Sequence, residues 1–200
     1  HQLGTPTSSL LACLEILKEE GNNHTVAIEL EKDILRLEKI ADRFSKIGST
    51  PALEQQNIVD IINKSSDYLK SRVSSKIVFS KLYDETQTVF IPINPILIEW
   101  VIENIVRNAV DAIQGEGQIL FNIEDNIQVV YIDISDNGKG IPKSKHKKVF
   151  EAGYSTKSRG WGLGLTLSKR IIEEYHNGKI FINYSELNKG TAFRIVLPKT

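Results

Sequence analysis

The hydrophobic positions of the first 48 residues repeat with the spacing of an amphipathic helix. Two runs with steps of three or four residues lie on either side of the polar stretch 21–24. The first run comprises Leu3, Thr7, Leu10, Leu14 and Leu17, and the second comprises Leu30, Ile34, Leu37, Ile40, Phe44 and Ile47. This heptad-like pattern predicts a helical hairpin. Two such helices cannot cover their apolar stripes alone, so we expect two copies to form a homodimeric four-helix bundle.

The pattern changes at the Gly-Ser-Thr-Pro sequence of residues 48–51, which breaks the second helix. We therefore predict one domain at 1–48 and a second at 49–200. In the second domain, segments of period two alternate with segments of helical period. We predict an extended segment ending at Asn57, helices over 58–72, 95–113 and 165–175, and strands over 76–82, 88–93, 118–123, 128–135, 179–184 and 191–197. The order indicates an α+β protein whose second domain is an α/β sandwich with helices on one sheet face.

Charge and cysteine content narrow the class of protein. The 200 residues include 25 Lys and Arg against 25 Asp and Glu, and this balance gives no support for binding to nucleic acid or to an anionic membrane. The single cysteine, Cys13, cannot form an internal disulfide, which is typical of the cytoplasm. No apolar run approaches the roughly 18 residues of a membrane span. The chain contains no methionine, and we expect a cytoplasmic fragment of a longer protein without a membrane segment.

Two glycine-rich clusters mark a candidate nucleotide pocket. The first, at 136–140, directly follows a predicted strand, so Asp136 is expected where that strand opens into a turn. The second, at 160–165, runs into a predicted helix. Glycines and the free N–H groups of a helix start allow phosphates to approach closely. The residues concerned are Gly138 and Gly140 in the first cluster, and Gly160, Gly162, Leu163 and Gly164 in the second. The basic stretch between the clusters is expected to form a movable lid.

The predicted helix over 95–113 carries two asparagines on one face. Asn104 and Asn108 are four residues apart and therefore project side by side. A neutral amide oxygen can complete the coordination of a Mg²⁺ ion that phosphates already hold. The pattern favours Asn108 as a metal ligand with Asn104 beside it.

These motifs, taken in order, resemble the boxes of sensor histidine kinases. The resemblance covers nearly the whole chain and rests on the phosphoacceptor sequence His1-Gln2-Leu3-Gly4-Thr5-Pro6, on Asn104-x3-Asn108, on Asp136-x-Gly138-x-Gly140, on Phe150, on Gly160-x-Gly162-x-Gly164 and on Gly190-Thr191. It implies a dimerisation and phosphotransfer hairpin followed by a Bergerat, or GHKL-type, ATPase sandwich. It also implies an enzyme that uses ATP and Mg²⁺, phosphorylates its own histidine and passes the phosphoryl group to the receiver domain of a response regulator.

The phosphoacceptor sequence assigns three roles. His1 is the expected acceptor, because a neutral imidazole nitrogen is nucleophilic near pH 7. The resemblance implies that Thr5, one turn further on, holds a water for dephosphorylating the partner protein. Gln2 departs from the family, which commonly carries Glu or Asp there as the base. Because general-base help is worth about 10²–10⁴ in rate, an amide at this position predicts slow transfer or another carboxylate in that role.

In the pocket, the resemblance implies that Asp136 accepts a hydrogen bond from the adenine amino group. Phosphoryl transfer depends on positioning and charge neutralisation, so Lys157 and Arg159 are candidate phosphate ligands, and Thr191 is expected to complete the ATP site. Phe150 is expected to anchor the lid by packing. The lid lysines, Lys143, Lys145, Lys147 and Lys148, are expected to form an exposed face.

Two alternative functions stay open at this stage. The first is a GHKL-type ATPase like those of topoisomerases and heat-shock chaperones, which activates water with a glutamate on the asparagine helix. Asn104 occupies the place of that glutamate, but the adjacent Glu103 keeps the hypothesis open. The second is a phosphatase-biased or non-catalytic ATP-binding module, which Gln2 and Gly4 favour.

Overall fold

The structure is a computed structural model that describes Ile34, residues 51–156 and residues 162–200. The chain divides into two compact units, His1–Pro51 and Ala52–Thr200. The predicted hairpin, with His1, Gln2 and Thr5, lies outside the described residues apart from Ile34, which is buried in a helix. Lys157, Arg159 and Gly160 also lie outside them.

The second unit follows the predicted order of elements closely. In chain order, the described elements are β1 (Glu54–Asn57), α1 (Ile58–Lys70), β2 (Ile77–Lys81), β3 (Phe90–Ile93), α2 (Pro95–Ala112), β4 (Gly117–Asp125), β5 (Val129–Asp136), α3 (Gly164–Arg170), β6 (Lys179–Glu186) and β7 (Gly190–Pro198). Their ends agree with the predicted ends to within about two residues, which is the usual uncertainty of such boundaries. One difference is that the last predicted helix continues beyond α3 as a π-helical turn, Ile171–Tyr175.

The described strands form a five-stranded sheet and a separate two-stranded sheet. The large sheet has the order β2-β4-β5-β7-β6, and β1 pairs with β3 in the small one. Strand β2 is parallel to β4, whereas the other pairs are antiparallel. Along β5 and β7 buried residues alternate with more exposed ones, as expected for a sheet with one covered face. The predicted α/β sandwich is confirmed, while the parallel pair and the small sheet are new.

Helix α2 is the central helix of the sandwich. Its start is defined by Asn94, whose side chain accepts a hydrogen bond from Leu97 N–H at 3.2 Å, and by a proline in its first turn. The helix is apolar on its inner face, and the fully or almost fully buried residues are Leu97, Ile98, Val101, Ile102, Ile105 and Val106. Asn104 and Asn108 lie on the same helix and are each half-buried. No helix among the described residues combines the length and hydrophobicity that a membrane crossing requires.

Candidate nucleotide-binding site

Asp136 is the last residue of β5, one residue beyond the predicted end of the strand, and its side chain is partly buried where the strand opens into the turn. Its Oδ1 accepts the backbone N–H of Gly138 at 2.8 Å, and the backbone N–H of Thr191 on β7 also donates to the carboxylate. Burial raises the pKa of Asp136 to about 6, and the two N–H donors counteract part of that rise. A further hydrogen-bond donor would therefore stabilise the charged form of the Asp136 carboxylate.

The glycines of the first cluster allow close backbone packing. A Cβ atom at Gly138 would lie 2.7 Å from the carbonyl carbon and oxygen of Ala112, at the end of α2. The next N–H, of Lys139, donates to the same carbonyl at 3.0 Å. Gly140 has a φ of +69°, and a Cβ atom there would lie 2.0 Å from Glu186 O. The turn after Asp136 is thus packed between the end of α2 and the β6–β7 hairpin.

Asn104 connects α2 to the second glycine cluster. Its Nδ2 lies 3.4 Å from Gly164 O and 3.4 Å from Ser168 Oγ, and Ser168 Oγ donates to Gly164 O at 2.9 Å. Asn108 is half-buried one turn further along the same helix. Helix α3 begins after Leu163 without a side-chain cap, and the positive end of a helix dipole favours an anionic group at such a start.

The carboxylate of Glu103, the residue before Asn104, is paired with an arginine on the same helix. Glu103 Oε1 accepts from Arg107 Nη2 at 2.7 Å, as an i,i+4 pair along α2. Position 104 itself therefore offers an amide to the pocket, and the acidic residue beside it is engaged with an arginine.

The segment predicted to form a lid begins with two short 3₁₀ turns, Lys143–Lys145 and Lys148–Phe150. The Phe150 ring packs edge-to-face on Phe193 of β7, with ring centroids 6.2 Å apart, so its side chain is engaged in packing, and its role as an anchor of the lid stays a prediction. The four lid lysines are exposed, as predicted. At the end of the lid, Gly153 N–H donates to Gly162 O at 3.1 Å.

The structure brings most of the described candidate residues together in two groups. Asp136, Gly138 and Thr191 form one group, and Asn104 and Gly164 form the other. Ser185 also belongs to the first group, because its Oγ lies 2.9 Å from Thr191 Oγ1. No local pattern around a serine in a strand predicts this contact. The described residues contain no group of three or more His, Cys, Asp or Glu side chains that could hold a metal ion.

Comparisons with known proteins agree with this geometry. Residues 93–200 match the family described as histidine kinase-, DNA gyrase B-, and HSP90-like ATPase. The chain is 31% identical to sporulation kinase E of Bacillus subtilis (strain 168), over 99% of this chain and 27% of that protein. It is 30% identical to sensor protein kinase WalK of Staphylococcus haemolyticus (strain JCSC1435), over 99% of this chain and 35% of that protein. The chain thus spans less than half the length of either relative.

A solved structure supports the same assignment. The catalytic domain of histidine kinase ThkA matches with a TM-score of 0.65 at 25% identity, over 75% of this chain and 97% of that domain. The resemblance drawn from the sequence motifs is therefore confirmed for the ATP-binding domain. Because the family match includes α2, both glycine clusters and Thr191, the chain belongs to the histidine kinase-, DNA gyrase B- and HSP90-like ATPase family.

Proposed function

We propose that the protein is an ATP-dependent histidine kinase of a two-component system. In this proposal it phosphorylates His1 and transfers the phosphoryl group to an aspartate in the receiver domain of a response regulator. Relatives named as sporulation and sensor kinases support it, and histidine kinase ThkA, a structural neighbour at 21% identity, forms a complex with the response regulator protein TrrA. The proposed active form is a cytoplasmic homodimer that pairs through residues 1–48.

The observation that carries the kinase proposal is the environment of Asn104. An ATPase of the topoisomerase or chaperone type needs a carboxylate at this place to activate water. Here an amide, which is not a base at any accessible pH, binds Gly164 O and Ser168 Oγ. The neighbouring Glu103 is paired with Arg107. A site that holds ATP without a base for water favours transfer to a protein side chain.

The residues of the pocket suit an adenine nucleotide. Asp136 is proposed to accept the adenine amino group, a donor that offsets the cost of burying its carboxylate. The uncapped start of α3 and the side chain of Lys157 are proposed to bind phosphates, because phosphoryl transfer relies on positioning and charge neutralisation.

The residues proposed for the pocket could hold Mg²⁺ only together with the phosphates of a bound nucleotide. The described residues contain no cluster of acidic, histidine or cysteine ligands, and the candidate ligand is the single amide oxygen of Asn108. This fits a cation that keeps several waters and takes further oxygens from phosphates. When bound, the ion would neutralise phosphate charge.

The second candidate function, a phosphatase-biased module, rests on Gln2. In the proposed mechanism His1 attacks the phosphoryl group and must lose its ring proton, and Gln2 cannot take that proton. If Gln2 limits the transfer, Gln2→Glu in a protein extended upstream of His1 should raise autophosphorylation. An unchanged or lower rate with normal nucleotide binding would place the base elsewhere. Thr5 keeps its proposed role in dephosphorylation under either function.

Radiolabelled ATP distinguishes a histidine kinase from a GHKL-type ATPase and from a phosphatase-biased or non-catalytic binding module. A histidine kinase acquires an acid-labile, base-stable label that disappears in His1→Ala. Release of free phosphate without a protein label would instead support the ATPase, and neither product would support a binding module. His1→Ala should bind ATP like the parent protein, which controls for loss of the nucleotide site.

A further inference from the structure

Five lysines lie within ten consecutive residues on the surface of the second unit. The segment 139–148 contains them and no Asp or Glu, although the whole chain has equal numbers of acidic and basic residues. All five are exposed, and none forms an ion pair with a carboxylate in the described part of the chain. They are Lys139, Lys143, Lys145, Lys147 and Lys148. This basic segment is therefore an uncompensated positive patch, which attracts an anionic partner.

An open cavity of about 500 Å³ lies beside the basic segment. Its apolar walls are Phe150, from the second 3₁₀ turn, and Ile180, Phe181 and Ile182 of β6. Phe181 is aromatic and yet 40% exposed. The volume lies within the range of ligand-binding clefts. The lining residues are not those of the proposed nucleotide site, so the cavity has no role in the function proposed above.

The polar part of the cavity lining is mostly basic. Lys147 comes from the basic segment, and Lys169 comes from α3, where Glu173 lies 3.8 Å away in an exposed pair. The other two polar lining residues are His146, which bonds to a backbone carbonyl of the same segment, and one carboxylate, Glu151. The other lysines of the basic segment outweigh this single negative charge. The cavity therefore suits an apolar side chain that is flanked by carboxylates.

Strand β6 offers backbone groups next to the cavity. It is the outer strand of the five-stranded sheet, so one of its edges has no neighbouring strand among the described residues. The bulge between Ile182 and Tyr184 leaves Lys179–Ile182 as the regular part of this edge, beside the cavity. An extended peptide can bind such an edge through main-chain hydrogen bonds and place alternate side chains in adjoining pockets. A flat membrane surface or a phosphate backbone would use neither the edge nor the apolar walls.

We propose that the cavity and the basic segment form a docking site for an acidic, extended segment of a partner protein. An apolar side chain of the partner fills the cavity, its carboxylates face the lysines, and its backbone runs along Lys179–Ile182. This site goes beyond the proposed kinase function and does not depend on ATP binding. Because salt screens only the charged contacts, the affinity should fall as salt is added without being lost.

The proposal can be tested by isothermal titration calorimetry on the 200-residue chain, with the peptide Glu-Asp-Glu-Phe-Val-Glu-Asp-Glu as the probe. The parent chain should bind it saturably below about 1 mM. Replacing the phenylalanine of the peptide by serine should weaken binding about tenfold, because the apolar contact is lost. Replacing its acidic residues by the corresponding amides should weaken binding at least as much. No saturable binding, or equal affinity for the parent and serine peptides, would overturn the proposal.

Two pairs of variants locate the contact. Lys147→Glu should weaken binding of the peptide about threefold to tenfold, whereas Lys64→Glu, an exposed position on α1 with the same change of charge, should have little effect. Phe181→Ser should weaken it about tenfold, whereas Leu187→Ser, which is exposed in the turn of the same hairpin, should not. Equal affinities within either pair would contradict the proposed site. Should Phe181→Ser not fold, the serine peptide on the parent chain tests the same contact.

Hydrogen exchange and other anions separate the remaining explanations. The bound peptide should protect residues 146–151 and 179–182. Protection confined to the two glycine clusters would place the peptide in the nucleotide site and overturn the proposal. Vesicles containing phosphatidylserine, or a DNA duplex, should bind more weakly than the peptide. Binding to either that is as tight and insensitive to Phe181→Ser would show a general anion-binding surface and also overturn it. A chain that binds the peptide but no ATP would refute only the proposed function.

Discussion

His176 Nε2 accepts a hydrogen bond from the backbone N–H of Asn94 at 3.1 Å, and so connects the end of the π-helical turn to the start of α2. The other ring nitrogen, Nδ1, lies 2.7 Å from Ile171 O, which can only accept. The ring is therefore neutral with its proton on Nδ1. Protonation of Nε2 would break the bond to Asn94, whose side chain caps α2.

This relationship predicts acid sensitivity of the fold. Burial lowers the pKa of His176 below its ordinary value of 6.5. Between the lowered pKa of the folded state and 6.5, the unfolded chain binds a proton that the folded chain does not, so the free energy of unfolding falls as the pH decreases, by up to about 1.4 kcal/mol per pH unit. Above it both states are neutral and the histidine contributes no pH dependence.

Denaturant unfolding between pH 7.5 and about 5 checks this prediction, with His176→Gln as the comparison protein. The amide oxygen of glutamine can accept from Asn94 N–H but does not titrate. The parent should lose stability more steeply than the variant as the pH falls. Subtracting the two curves cancels the contributions of other titrating groups, including Asp136, because both proteins share them. Parallel curves for the two proteins would contradict the assigned ring state.

The raised pKa of Asp136 predicts a pH dependence of nucleotide affinity. Below a pKa of about 6 the empty pocket becomes protonated and loses its acceptor, so ADP affinity should fall by about tenfold per pH unit. Titration of the ADP phosphates also contributes, but it is shared with Asp136→Asn. The parent should therefore show a steeper decline than this variant, and equal declines would exclude the carboxylate as the titrating group.

At pH 7.5, Asp136→Asn should weaken ADP binding by about 10- to 100-fold, the typical worth of a hydrogen bond to a charged group, while the protein stays folded. The matched control is Asp133→Asn on the same strand. Asp133 projects to the opposite face of the sheet, where its Oδ1 accepts from Arg194 Nε at 2.7 Å. That variant should lose stability and keep its ADP affinity. Unchanged affinity in folded Asp136→Asn would remove Asp136 from the site.

Gly190 should tolerate no side chain. Its φ is +108°, and a Cβ atom would lie 1.8 Å from Asp136 O and 2.8 Å from Asn137 Cα. Gly190→Ala should cost about 2–5 kcal/mol of stability, from backbone strain together with overpacking. Gly115 has a φ of +90° in open space, so Gly115→Ala should show only the strain of about 1–2 kcal/mol. Equal losses of stability in the two variants, measured by denaturant unfolding, would mean that the contact with Asp136 adds nothing to the cost of backbone strain.

The sequence by itself determined the features that depend on neighbouring residues. The extent of α2 could be predicted because its apolar positions recur with helical spacing from about Pro95 to Ile113. The position of Asp136 could be predicted because an alternating strand meets a glycine-rich turn there. The family could be identified because its motifs are short local sequences in a set order. The roles proposed for the site residues stay predictions, both for His1, Gln2, Thr5, Lys157 and Gly160 and for the residues that the structure describes.

Only the tertiary structure decided the features that depend on distant residues. Asn94 and His176 are 82 residues apart, and nothing local to either indicates their hydrogen bond. The parallel pairing of β2 with β4 is likewise invisible in the hydrophobic pattern of either strand. The position of Ser185 opposite Thr191 depends on one extra residue in β6, and a shift of one residue reverses the face of every later side chain. Local periodicity specifies an element, whereas register is set by the contacts the element makes when the chain has folded.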